Sequence, residues 1–83
     1  MKSKYMKFIM TEKKTKSQVF SIFAKRGELL LGQVKWVSGG KEYCFFPEPQ
    51  KTFNRHYLDD ITDFIDEQTK ASKLMSIKKV HKG

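Results

Sequence analysis

The sequence predicts an α+β fold, a four-stranded antiparallel β-meander packed on one face by a single C-terminal α-helix. Three observations predict it. Four short runs rich in β-branched and aromatic residues follow one another with only short polar breaks, the pattern of successive antiparallel strands. A later stretch, residues 55–69, places Tyr57, Leu58, Ile61, Phe64 and Ile65 on one stripe at helical spacing. The chain has 83 residues, and a chain this short buries only about 60–65% of its unfolded surface, enough for one core. One sheet face is then the partner the helix stripe must use. Residues 1–76 are expected to form a single β4α domain, and 77–83 a basic, mobile tail.

Residues 4–10 (KYMKFIM) read as the first strand, with Tyr5, Lys7 and Ile9 facing one way and Met6, Phe8 and Met10 the other. Residues 11–17 (TEKKTKS) are polar and poor in β-formers, which predicts a loop. Residues 18–24 (QVFSIFA) are the second strand. Lys25-Arg26-Gly27-Glu28 is a turn in which Gly27 is free to take positive φ. Residues 29–37 (LLLGQVKWV) form the third strand, where an interior Gly32 marks a bulge or the close approach of another group. Ser38-Gly39-Gly40 turns the chain into residues 41–46 (KEYCFF), and Pro47 withholds a ladder donor and ends that strand. Glu48 to Phe53 connects to the helix, which Asn54 caps. Asp59 and Asp60 lie in the first turns, where negative charge suits the helix dipole. Ala71, Leu74 and Met75 allow the helix to run past 69.

A two-residue turn at Ser38-Gly39 would pair Val37 with Gly40 and Val34 with Tyr43. Leu30, Gly32, Val34 and Trp36 would then share the helix-facing side with Tyr43 and Phe45. Gln33 and Lys35 would share the other side with Glu42, Cys44 and Phe46. A slip of one residue exchanges the two faces.

The net charge is +8, and its layout is uneven. Residues 1–55 hold 12 Lys and Arg against 4 acids, residues 56–69 hold five acids and no Lys or Arg, and residues 70–83 hold five Lys. An acidic helix thus sits between a basic sheet region and a basic tail. A positive field attracts polyanions and speeds their arrival. Lys25, Arg26, Lys35, Lys41, Lys51 and Arg55 are the expected phosphate contacts, with Gln33 or tyrosines near bases. The competing reading is a solvated surface that keeps the protein soluble. Lysine outnumbers arginine fifteen to two, which weighs against base-specific readout, because Arg makes the commonest specific contact.

Catalytic chemistry finds little support. Cys44 is the single cysteine, so an intrachain disulfide is excluded, and packing is its expected role. His56 and His81 are too few and wrongly spaced for a zinc site. Arg55, His56, Asp59 and Asp60 form the densest polar cluster, which a metal-dependent nuclease would need, but a capped helix start explains it as well. No GxxxxGKS or GxxxxGKT pattern occurs. The chain is expected to be non-enzymatic, with no cofactor and no metal. No apolar run approaches the ~20 residues of a membrane span, and the N-terminus lacks a signal-peptide core, so a cytoplasmic location is expected.

One pattern goes further: Leu31-Gly32-x-Val34-Lys35-Trp36, then Tyr43-Cys44-Phe45-Phe46-Pro47-Glu48, Thr52-Phe53-Asn54 and Leu58-x-Asp60-Ile61-x-Asp63-Phe64-Ile65. It resembles a group of small, uncharacterised bacteriophage and prophage proteins over about half of the chain. This sequence departs from the group at Val37, where an aromatic often follows the Trp, and at Gly40-Lys41, where an aromatic-Arg pair is usual. The resemblance implies a phage-type context and a shared fold, and carries no activity to transfer. Nucleic acid is therefore one expected partner. A host or phage protein, docking on a sheet edge or the acidic helix face, is the other. The protein is expected to be a monomer or a weak edge-strand dimer.

Overall fold

The computed structural model describes residues 3–14 and 17–82, with side chains described as far as Ser72. Strands β1 (Met6–Lys13), β2 (Gln18–Ala24), β3 (Leu30–Val37) and β4 (Glu42–Pro47) form one antiparallel sheet in the order β1-β2-β3-β4, and helix α1 (Arg55–Lys82) follows. The α+β meander with one C-terminal helix is thus the observed architecture.

α1 packs on the sheet through the stripe that its spacing predicts. Ile61 and Phe64 are buried and Tyr57 and Ile65 half-buried against the core. Burying an Ile or Phe side chain contributes about 1.5–3 kcal/mol, so Ile61 and Phe64 supply much of the apolar contact between the layers. Phe64 stacks on Phe8 of β1 with ring centroids 4.3 Å apart and meets Phe20 of β2 edge-on at 4.9 Å. Ile22 and Val34, both fully buried, fill the centre of the sheet. Trp36 and Phe45 complete the packed side, Trp36 edge-on to Tyr43 and Phe45 edge-on to Phe53. Leu58 departs from the expected stripe and is exposed; it sits at the margin, beyond the reach of the sheet.

The first half of the helix is tied down by polar bonds at its start and its middle. Asn54 caps it, its Oδ1 accepting from the Tyr57 N–H at 3.0 Å. Asp60 Oδ2 accepts from the Ser3 hydroxyl at 2.6 Å, while Ser3 Oγ accepts from the Tyr5 and Met6 N–H groups. Farther along, Thr69 Oγ1 accepts the Tyr43 N–H of β4 at 3.1 Å. These contacts carry the helix from the approach to β1 across to β4.

Three sequence expectations are corrected. β1 runs on to Lys13, so residues 11–13 are strand rather than loop. Pairing with β2, and a bulge at Thr11 that skips one register position, hold this polar segment in the sheet. The turn between β3 and β4 is longer than two residues: Val37 pairs with Glu42 and Val34 with Phe45. Positive φ there falls on Lys41 (53°). The offset from the expected register is even, so Val34, Trp36, Tyr43 and Phe45 keep the helix-facing side. Leu30 is not the residue that faces the core. The β2–β3 register skips Leu31 between Gly32 and Leu30, and this bulge turns Leu31 inward and buries it. α1 continues past residue 69 to Lys82, the extension that Ala71, Leu74 and Met75 allow. The side chains of residues 73–82, and Gly83, lie outside the described residues, and with them the expectation of a mobile tail over 77–83.

Candidate functional site

The helix covers one face of the sheet and leaves the other open. Along the strands, alternate residues reach that open face. One transverse row crosses all four strands: Ile9 pairs with Ser21, Ser21 with Gln33, and Gln33 with Phe46. The row is apolar at both ends and polar in the middle. Ile9 and Phe46 are exposed, at 45% and 44%. Ser21 is buried between its neighbours; its hydroxyl is 3.1 Å from Thr11 Oγ1 and accepts a long 3.5 Å bond from Gln33 Nε2. The bulge at Thr11 places that hydroxyl on the open face, where it also donates to the Val19 carbonyl at 3.4 Å.

Lys35 lies one residue pair along, opposite Cys44. Its ammonium sits over the Phe46 ring, 5.4 Å from the centroid. Toward the other end of the face, Lys7, Ile9, Phe23 and Glu28 line a shallow hollow of about 230 Å³. Lys7 Nζ pairs with Glu28 Oε1 at 3.3 Å across its rim. The face therefore offers an exposed aromatic ring, two lysines, a carboxamide and an apolar hollow within one surface.

The magnitudes say what this surface can do. An ammonium over an exposed ring contributes about 0.5–1 kcal/mol. A flat π system stacked on such a ring contributes about 1–3 kcal/mol.

The six basic residues expected from the sequence do not form one patch. Only Lys35 is on the open face. Lys25 and Arg26 lie in the β2–β3 turn, and the Lys25 ammonium donates to the Ser3 carbonyl at 2.7 Å, which gives it a structural task. Lys51 is exposed in the β4–α1 connection, and Arg55 begins α1, its Nε 3.8 Å from Asp59 Oδ2. By topology these four lie at one end of the sheet, and Lys41, in the β3–β4 turn, lies at the other. Lys7, Ile9, Phe23 and Phe46 were not among the expected site residues. Strand parity places Phe46 beside Gln33 and Lys35 and gives the core side to Phe45, as observed, but it does not single out Phe46 as a site residue.

The cluster at the start of the helix is built for structure. Asp60 is engaged by Ser3, Asp59 faces Arg55, and His56 is exposed in the first turn. Cys44 is half-buried. Among the described residues no group of three or more His, Cys, Asp or Glu is placed to hold a metal ion, and no helix is long and apolar enough to cross a membrane. Comparison with family models, curated proteins and solved structures yields no match to this chain.

Proposed function

We propose that the protein is a small, basic, non-catalytic binding protein of phage or prophage type, cytoplasmic, that associates with nucleic acid through its sheet side. The observation that carries the reading is the uneven charge along the fold: residues 1–55 hold 12 Lys and Arg against 4 acids, whereas residues 56–69 of α1 hold five acids and no Lys or Arg. The outer face of the first half of the helix presents Asp59, Asp63 and Asp66 to solvent, whereas the open sheet face presents Lys35 and a Lys7 paired with Glu28, and the turns at its ends present Arg26 and Lys41. With a net charge of +8, a polyanion is drawn in and is steered to the sheet side by the acids behind it. Fluorescence anisotropy with DNA and RNA oligonucleotides at several salt concentrations tests this. Affinity should fall linearly on a log–log salt plot, as release of counterions requires; absence of binding at low salt rejects the reading.

The same segregation supports a second reading, a module that docks on a basic host or phage protein through the acidic helix face. A purified complex of defined stoichiometry that survives nuclease treatment and is broken by Asp63→Lys favours it over the first.

A further inference from the structure

We infer that the open sheet face takes an unpaired strand of nucleic acid, with a base stacked on Phe46, the adjacent phosphate on Lys35 and the base edge against Gln33. The inference rests on the nucleic-acid reading above and names the form of nucleic acid and the residues that hold it.

Four observations carry it. Phe46 is a large apolar side chain left 44% exposed on a face that no described element covers. Its ring already holds a cation: the Lys35 ammonium rests 5.4 Å above the centroid. Gln33, directly opposite Phe46 across the β3–β4 ladder, carries both a donor and an acceptor on its carboxamide. The apolar hollow beside Ile9 and Phe23, about 230 Å³, lies across the sheet from Phe46 and gives a second base a place. A strand running across β4 to β1 meets ring, carboxamide, hydroxyl pair and hollow in turn.

Shape excludes a duplex from the same site. Four strands about 4.8 Å apart, with side chains at both edges, make a face wider than the ~12 Å major groove. A paired base also keeps its flat surfaces inside the stack, where Phe46 does not reach. Charge favours a nucleic acid over a neutral aromatic ligand, since Lys35 flanks the ring and the net charge is +8, whereas at the hollow Lys7 is paired with Glu28.

The experiment compares a single strand of about 12 nucleotides, a length within the site sizes of such proteins, with a hairpin duplex of the same sequence. The single strand should bind at least about tenfold more tightly. Phe46→Leu, which keeps the apolar bulk and removes the π face, should weaken single-strand binding by about five- to 100-fold, as loss of one stacked base does. It should leave the salt slope unchanged, and Phe46→Tyr should restore affinity. Lys35→Ala should make the slope shallower by about 0.7, one phosphate on a single strand. Far-UV circular dichroism of each variant establishes that it is folded. Equal binding of strand and duplex, with Phe46→Leu indistinguishable from wild type, overturns the inference while leaving the nucleic-acid reading standing. Failure of both probes to bind overturns the two together.

Discussion

A β-carbon at position 32 has nowhere to go. It would lie 2.6 Å from the Phe46 carbonyl oxygen, 2.9 Å from the Pro47 Cα and 2.7 Å from the Phe45 ring. Two of these neighbours are backbone, so the strain falls on the β3–β4 ladder itself. Gly32→Ala should therefore destabilise the fold by about 2–3 kcal/mol, the upper range of overpacking, read from the urea midpoint. Lys41 shows the opposite balance. Its φ of 53° is a left-handed conformation that costs an L-residue about 1–2 kcal/mol. Lys41→Gly removes that strain at the cost of some chain entropy and should raise stability by about 0.5–1 kcal/mol, seen as a higher melting temperature. The sequence signals Gly32 as a crowded position but gives the β3–β4 turn the wrong length. Two glycines at 39 and 40 suggest where positive φ falls, and the structure puts it on the lysine after them.

β4 is an edge strand, and an edge strand exposes unpaired backbone donors to other chains. α1 reaches over that edge: Thr69 Oγ1 accepts the Tyr43 N–H at 3.1 Å. Thr69→Val keeps the shape and removes the acceptor, leaving a partly buried N–H without its bond. The expected loss is about 1–2 kcal/mol, with faster hydrogen exchange at the Tyr43 amide and full recovery in Thr69→Ser. The helix itself was legible in the sequence because its apolar residues recur with a single period. Its N-terminus was legible too, because Asn54 is a capping residue. The bulges at Thr11 and Leu31 were not. Each adds one residue to one strand and leaves the apolar pattern of the flanking residues intact, so alternation alone assigned Leu30 rather than Leu31 to the core. The site was half legible for the same reason: parity placed Gln33, Lys35 and Phe46 on one face, but exposure depends on where the helix ends its cover. A count of basic residues led instead to the turns, where charge is plentiful and the sheet topology sends Lys41 to one end and Arg26, Lys51 and Arg55 to the other.

For the molecule as a whole, the layers separate two electrostatic effects that a net charge of +8 conflates. On the proposed reading, Lys35 on the sheet face would touch the ligand and govern how long it stays. Acids on the outer face of the helix lie a layer away and act only through the long-range field. The double substitution Asp63→Asn with Asp66→Asn raises the net charge by two units without touching the sheet. It should accelerate association with a single-stranded oligonucleotide by a few-fold at low salt, because a stronger positive field captures more encounters. Once the Debye length falls to about 8 Å near physiological ionic strength, that gain should disappear. Dissociation should be unchanged at every salt concentration, since neither carboxylate meets the bound strand. Lys35→Ala should behave in the reverse sense, with faster dissociation that persists when the long-range field is screened. Stopped-flow measurement of both rates separates the cases. If the aspartate variant instead slows dissociation, the helix face is part of the contact surface, and the assignment of the ligand to the open side of the sheet fails.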